Sequence, residues 1–139
     1  MNKEVLTLTK NDILEYIKFI ESVFFYTPDK KDIEKMLKEE KILVIKNESK
    51  IIASISLSLR QDYIKGKKYY YLNYFGVLKP YRRMGYATRI FEEVESLVKK
   101  NNINYIELTS GNQRKSAHYF YQKNLFKIKD STVFIKIYE

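Results

Sequence analysis

The residues in this chain best suited to chemistry are Arg82-Arg83-Met84-Gly85-Tyr86-Ala87-Thr88. Two arginines and a glycine stand between an apolar run, Tyr69 to Leu78, which Pro80 stops, and a helical pattern through Ala87, Ile90, Phe91, Val94, Leu97 and Val98. A strand therefore feeds a short loop that opens onto a helix. That arrangement aims backbone N–H groups and the positive end of a helix dipole into one small space. Such a space binds phosphate groups, and the arginines add charge where a diphosphate needs it. Gly85 lets the bound group approach the main chain. Gly76, inside the preceding strand, marks a bulge or a close backbone approach.

The surrounding elements must hold that junction in place. Val5 to Leu8 reads as a first strand. Asn11 or Asp12 caps a helix with an apolar stripe of Ile13, Tyr16, Ile17, Ile20 and Phe24, which Phe25-Tyr26-Thr27-Pro28 breaks. Asp29 or Asp32 starts a second, more polar helix. Lys41 to Lys46 is a strand and Asn47 to Lys50 a turn. Ile51, Ala53, Ile55, Leu57 and Leu59 then alternate with Ser54, Ser56 and Ser58, the mark of a strand with two different faces. After the central helix come a strand at Tyr105 to Thr109, a helix at Arg114 to Asn124, and closing strands at Phe126 to Ile128 and Val133 to Tyr138. The order is β-α-α-β-β-β-α-β-α-β. It predicts an α/β (mixed α+β) fold with a central mixed sheet of six or seven strands and helices on both faces, in one domain over residues 1–139. Ligands in such sheets gather at the carboxyl ends of the parallel strands.

Composition removes several classes of function. The chain has 139 residues, 45% of them hydrophobic and 15% aromatic, which describes a folded domain. With no cysteine there is no disulfide, thiolate metal site or cysteine nucleophile, and one histidine, His118, builds no histidine-rich metal site. No metal is expected. No apolar run approaches the roughly 20 residues of a membrane span, and the first residues lack the core of a signal peptide. A cytoplasmic location and no membrane partner are expected. The formal charge of +9 invites a nucleic-acid partner. The basic residues are spread along the chain, however, so nucleic acid is not expected as the main partner.

The residues around Gly85 and those of the later helix together resemble the Gcn5-related N-acetyltransferases (GNAT). The family's acetyl-CoA motif, Arg/Gln-x-x-Gly-x-Gly/Ala, reads here Arg82-Arg83-Met84-Gly85-Tyr86-Ala87, and Phe75-Gly76-Val77-Leu78 is similar to its central strand exit. Asn112, Arg114, Ala117-His118 and Phe120-Tyr121 resemble its second cofactor segment, with Gly85 and Tyr121 separated by 36 positions, one helix and one strand. Where the family has Gly-Phe this chain has Leu125-Phe126, preceded by Asn124, a residue that tolerates a left-handed helix end.

The resemblance implies acetyl transfer from acetyl-CoA, as co-substrate, to a primary amine of a small molecule or peptide. The N–H groups from Arg83 to Thr88 would hold the diphosphate. Phe75, Gly76 and Val77 would carry the pantetheine arm, with the Val77 N–H on the thioester oxygen. Asn112 would bond the arm, and Tyr121 would protonate the departing thiolate. Glu107, or a water chain oriented by Asn73 or Tyr74, would take the amine's proton. Phe24, Phe25, Tyr26, Tyr74 and Tyr63 would wall the acceptor, an aromatic lining without clustered carboxylates. A non-catalytic acyl-CoA-binding module and a basic nucleic-acid-binding domain are the competing readings. A monomer or homodimer fits either way.

Overall fold

The computed structural model describes residues 3–138. Its elements are β1 (Val5–Thr7), α1 (Ile13–Phe24), α2 (Lys30–Glu39), β2 (Lys41–Asn47), β3 (Lys50–Asp62), β4 (Lys67–Val77), α3 (Tyr86–Lys100), β5 (Tyr105–Leu108) and α4 (Lys115–Lys123). The chain divides into two compact units between Leu108 and Thr109.

The first unit holds a five-stranded sheet in the order β1-β2-β3-β4-β5. All neighbours are antiparallel except β4 and β5, which run parallel with Tyr69 opposite Tyr105 and Leu72 opposite Leu108. The α3 crossover between them is what a parallel pair requires. The closing strands expected at Phe126 to Ile128 and Val133 to Tyr138 are not strands. A strand exists by pairing, and no residue beyond Leu108 has a ladder partner among the described residues; Val133, Phe134 and Ile135 are exposed. The sheet thus has five strands rather than six or seven.

Helices lie on both faces of the sheet, and adjacent residues of β4 show it. Gly76 faces Val23 and Phe24 of α1. Phe75, whose side chain points the opposite way, meets Phe91 of α3 edge-on at 5.0 Å. Strand register carries this division into β3. Ser54 lies opposite Gly76 on the α1 face, and Ala53 opposite Val77 on the α3 face. Both faces of β3 are buried: Ile51, Ile55 and Leu57 on one, Ser54 and Ser56 on the other. The serines stay satisfied, Ser54 Oγ donating to the Leu43 carbonyl at 2.9 Å and Ser56 Oγ to that of Asn73 at 3.0 Å. The small side chains on this face let α1 settle close to the sheet. Tyr16, Phe19 and Ile20 of α1 and Ile90, Phe91 and Val94 of α3 complete the two layers.

Helix ends are set locally. Asp29 caps α2, its carboxylate accepting from the Lys31 N–H at 2.8 Å. Asp12 precedes α1 without capping it; its carboxylate pairs with Lys46 at 2.9 Å instead. In the second unit α4 ends with the Asn124 side chain donating to the Phe120 carbonyl at 2.8 Å. Leu125, not Asn124, adopts the left-handed conformation there, with φ 71°. No helix among the described residues is long and apolar enough to cross a membrane, and no three acidic or histidine side chains are grouped to hold a metal.

Candidate active site

The loop between β4 and α3 is built by two left-handed residues, Arg83 at φ 62° and Gly85 at φ 88°. Backbone turned this way makes a concave array of N–H groups. Arg89 N donates to the Gly85 carbonyl, so the N–H groups of Tyr86, Ala87 and Thr88 lie ahead of the first helical bond. Arg82, Arg83, Met84, Gly85 and Thr88 are exposed, while Tyr86 is buried and anchors the helix start. The loop faces solvent. One cation that the sequence reading missed already rests on it. Lys3 Nζ donates to the Met84 carbonyl at 2.6 Å and lies over the Tyr86 ring. A Cβ on Gly85 would stand 3.0 Å from that nitrogen.

The strand leading to this loop is irregular at a position that matters. Between the pairs Ser56–Asn73 and Ser54–Gly76, β4 has one more residue than β3. The extra length is Tyr74-Phe75, with Tyr74 left-handed at φ 46° and its N–H bonded to Asn73 Oδ1 at 2.9 Å. Gly76 is thus back in register and is not the bulged residue. Its missing side chain serves α1, because a Cβ there would lie 2.6 Å from Val23 Cγ1. Beyond the bulge, Leu78 N donates to Ile52 O at 2.8 Å. Antiparallel pairs alternate in their bonding, so the N–H of Val77 points away from β3, toward the side of β4 on which β5 pairing stops at Leu72. Arg82 Nε reaches back to the Val77 carbonyl at 2.9 Å. The carboxyl end of β4 therefore presents an outward N–H donor beside the loop that opens α3.

The chain matches the Acetyltransferase (GNAT) family over residues 11–125. It belongs to that family. Membership makes it an acyltransferase by family, and solved structures share the fold. It is similar to a ribosomal-protein-alanine N-acetyltransferase from Brucella melitensis, at 12% identity and a TM-score of 0.83, covering 97% of this chain and 99% of that one. An aminoglycoside acetyltransferase from an uncultured soil metagenomic sample gives 17% identity, a TM-score of 0.84, and coverage of 98% and 95%. The aminoglycoside 6'-N-acetyltransferase of Acinetobacter haemolyticus gives 16%, 0.79, and 100% and 99%. No curated protein matches the chain.

In this GNAT chain the first unit brings together Phe75, Gly76, Val77 and the loop from Arg82 to Thr88. Phe24 stands edge-on to Tyr74 at 5.3 Å. Phe25, the left-handed residue ending α1, and Tyr26 are exposed just beyond. Tyr63 is not part of that wall; it sits in the β3–β4 turn, on the order of 23 Å along β4 from Tyr74 at ~3.3 Å per residue. Glu107 lies opposite Tyr71, roughly 17–20 Å along β4 from Val77 on the same measure. In the second unit Asn112 is exposed in the turn before α4. Tyr121 is buried on α4, edge-on to Phe120 and Phe126. Burial raises the Tyr121 phenol above its ordinary pKa, and Arg114 pulls the other way. It therefore keeps its proton at neutral pH. The Ser110 hydroxyl, which the sequence reading passed over, is buried without a partner among the described residues.

Glu40 is half-buried at the junction of α2 and β2, and burial raises its carboxyl above the usual range. A separate cleft of about 330 Å³ beside α1, lined by Glu15, Lys18, Phe19, Glu21 and Leu78 among others, contains none of the expected site residues.

Proposed function

We propose that this protein transfers the acetyl group of acetyl-CoA to a primary amine of a small molecule or peptide. One relationship supports the reading above others: the outward Val77 N–H and the N–H groups opening α3 lie at the same end of β4, one on each side of an exposed loop with three cations. A thioester attached to a diphosphate needs both.

The residues fit the co-substrate. Arg83 and Gly85 turn the loop so that main-chain donors converge, and Arg82, Arg83 and Lys3 supply charge for a diphosphate. The Val77 N–H is the donor for the thioester oxygen, where negative charge grows as the amine attacks. β4 beyond Leu72 offers its open side to an extended arm, as an added strand would use it. Tyr121 holds its proton and is the donor for the leaving thiolate. The amine must arrive at the acyl carbon neutral. With a pKa of ~10.4, deprotonation at pH 7 costs about 4–5 kcal/mol, so a proton acceptor is required. Phe24 and Tyr74 wall the approach, with Phe25 and Tyr26 at its rim.

The test is thermal unfolding with acetyl-CoA, followed by thiol release with an amine panel. Co-substrate at 100 times its Kd adds about 2.7 kcal/mol. Absence of any shift at millimolar acetyl-CoA would overturn the reading. A shift in which Tyr121→Phe and wild type show equal turnover would remove Tyr121 from the chemistry. A shift with no turnover on any amine would leave a binding module.

A further inference from the structure

We propose that this protein is a two-fold dimer in which residues 133–138 of each copy pair, as an antiparallel strand, with residues 133–138 of a second copy. The proposal goes beyond the acetyl-transfer reading and does not depend on it.

The argument begins with what this stretch exposes. Five of its six residues, Val133, Phe134, Ile135, Ile137 and Tyr138, are β-branched or aromatic, the types that strands favour. The sixth is Lys136, and no glycine or proline interrupts them. All five are between 69% and 90% exposed, while Ile45, Ile55 and Val94 in the core are at 0%. Together they present roughly 600 Å² of apolar surface. A monomer's largest apolar patch is about 300–600 Å² and is often an interaction site.

Both sides of the stretch are apolar. With the two-residue period of extended backbone, Val133, Ile135 and Ile137 share one face, and Phe134, Lys136 and Tyr138 the other. Lys136 Nζ lies over the Tyr138 ring at 5.5 Å, as neighbours two apart on one face do. Such a segment suits the inside of a sheet, like β2, where Ile42, Leu43, Val44 and Ile45 are buried in succession. Residues 133–138 have no ladder partner among the described residues.

The order of the side chains says which partner fits. Their chemistry is close to a palindrome about Ile135. A two-fold axis there sets positions equally far before and after it side by side. Val133 then faces Ile137, Ile135 faces Ile135 of the second copy, Phe134 faces Lys136, and Thr132 faces Tyr138. One face of the ribbon carries six β-branched side chains. On the other, each Lys136 ammonium meets a Phe134 ring and lays its stem along apolar surface. Moving the axis to Lys136 would put two ammonium groups directly opposite each other, which is unfavourable. A one-residue slip would put the Val-Ile-Ile face of one copy beside the lysine face of the other. The pattern therefore selects one register with itself. A contact that repeats about a two-fold axis imposes this symmetry, and an unrelated partner does not.

Area agrees. Two copies bring roughly 1,200 Å² of apolar surface to the axis, the lower end of the ~1,200–2,000 Å² that a stable interface buries. A two-stranded ribbon alone is marginal. Leu125 and Ile128, in the same unit, are 89% and 82% exposed and supply further apolar surface.

Sedimentation equilibrium compares the full wild-type chain with Ile135→Lys. Wild type at micromolar concentration should show twice the 16.7 kDa of one chain. Ile135→Lys sets two ammonium groups opposite each other and should weaken the dimer on the order of 100-fold or more. Its circular dichroism should match wild type, because Ile135 is exposed in the single chain. The chain has no cysteine, so one introduced thiol gives a second reading. Ile135→Cys should form a disulfide-linked dimer on mild oxidation, while Ile128→Cys, equally exposed, should not. Should Ile135→Lys fail to fold, the cross-link decides. A wild-type mass of 16.7 kDa at every concentration overturns the proposal. Hydrogen exchange then says what replaces it: protected amides at 133–138 mean that the segment closes on its own chain, and open ones leave it to a different protein. A dimer indifferent to Ile135→Lys overturns it as well, as do equal cross-linking at positions 128 and 135 and assemblies that grow beyond two copies.

Discussion

Arg82 Nε donates to the carbonyl oxygen of Val77 at 2.9 Å. A residue of the loop is thereby tied to the last residue of the strand that feeds it. The guanidinium keeps its other donors for an anion while it fixes the peptide whose neighbouring N–H faces outward. Arg82→Gln should therefore affect two things at once. A charge-assisted hydrogen bond contributes ~1.5–3 kcal/mol, so acetyl-CoA affinity by calorimetry should fall about 10- to 100-fold. Turnover at saturating acetyl-CoA should fall too. Lysine restores charge but not the planar Nε geometry, so Arg82→Lys should recover affinity more than turnover. Equal recovery of both would remove the tie to Val77 from the explanation.

Gly76 tests the contact between α1 and the sheet. An alanine Cβ would stand 2.6 Å from Val23 Cγ1 and 3.3 Å from Phe24 Cζ. Valine is stiff at χ1 and cannot swing away freely. Gly76→Ala should cost about 1–3 kcal/mol, read from urea unfolding. Val23→Ala in the same chain should return part of it, since the two sites share one contact. An unchanged urea midpoint in Gly76→Ala would refute the close approach.

Lys3 brings a third cation to the loop, bonded to the Met84 carbonyl. Lys3→Gln should weaken acetyl-CoA binding several-fold at low salt, and the difference should fade as ionic strength rises toward 1 M, where the Debye length is about 3 Å. Calorimetry at two salt concentrations reads it. Tighter binding in Lys3→Gln would mean that the side chain obstructs the loop.

Glu40 also predicts how stability depends on pH. Its folded pKa is raised, so the folded state holds the proton more tightly than the unfolded state does. The contribution is fully present below the unfolded carboxylate value of ~4.3 and is lost as pH rises through the folded value. Melting temperatures of wild type minus Glu40→Gln should therefore decline from acid to neutral pH. A difference that is flat, or that grows with pH, contradicts the assigned direction.

The β4–α3 junction was legible because its signals are local. Arginines, a glycine and the helical period of α3 sit within one stretch, and a strand–loop–helix junction needs little else. The irregularity of β4 was not legible for the opposite reason: it depends on the register between β3 and β4, which are far apart in the chain at Ser56 and Asn73. The bulge was expected at Gly76 from the residue type alone. It falls on Tyr74-Phe75 because Asn73 offers its side-chain oxygen to the next N–H, a habit of asparagine that a strand pattern hides. Ser54 and Ser56 gave a clean alternation that marked a second face; that face is buried, with the serine hydroxyls donating to the carbonyls of Leu43 in β2 and Asn73 in β4. The last expected strands show that a β-prone composition marks a segment able to pair without identifying the edge it pairs with.

Tyr74 carries a cost of its own. A residue with a Cβ in left-handed backbone, here at φ 46°, loses on the order of 1–2 kcal/mol relative to its relaxed state, and glycine at that position would not. A directed-evolution campaign scored only on melting temperature would thus be rewarded for discarding the ring that meets Phe24. Thermostabilised descendants of this chain should be sequenced at position 74 before their activity is trusted.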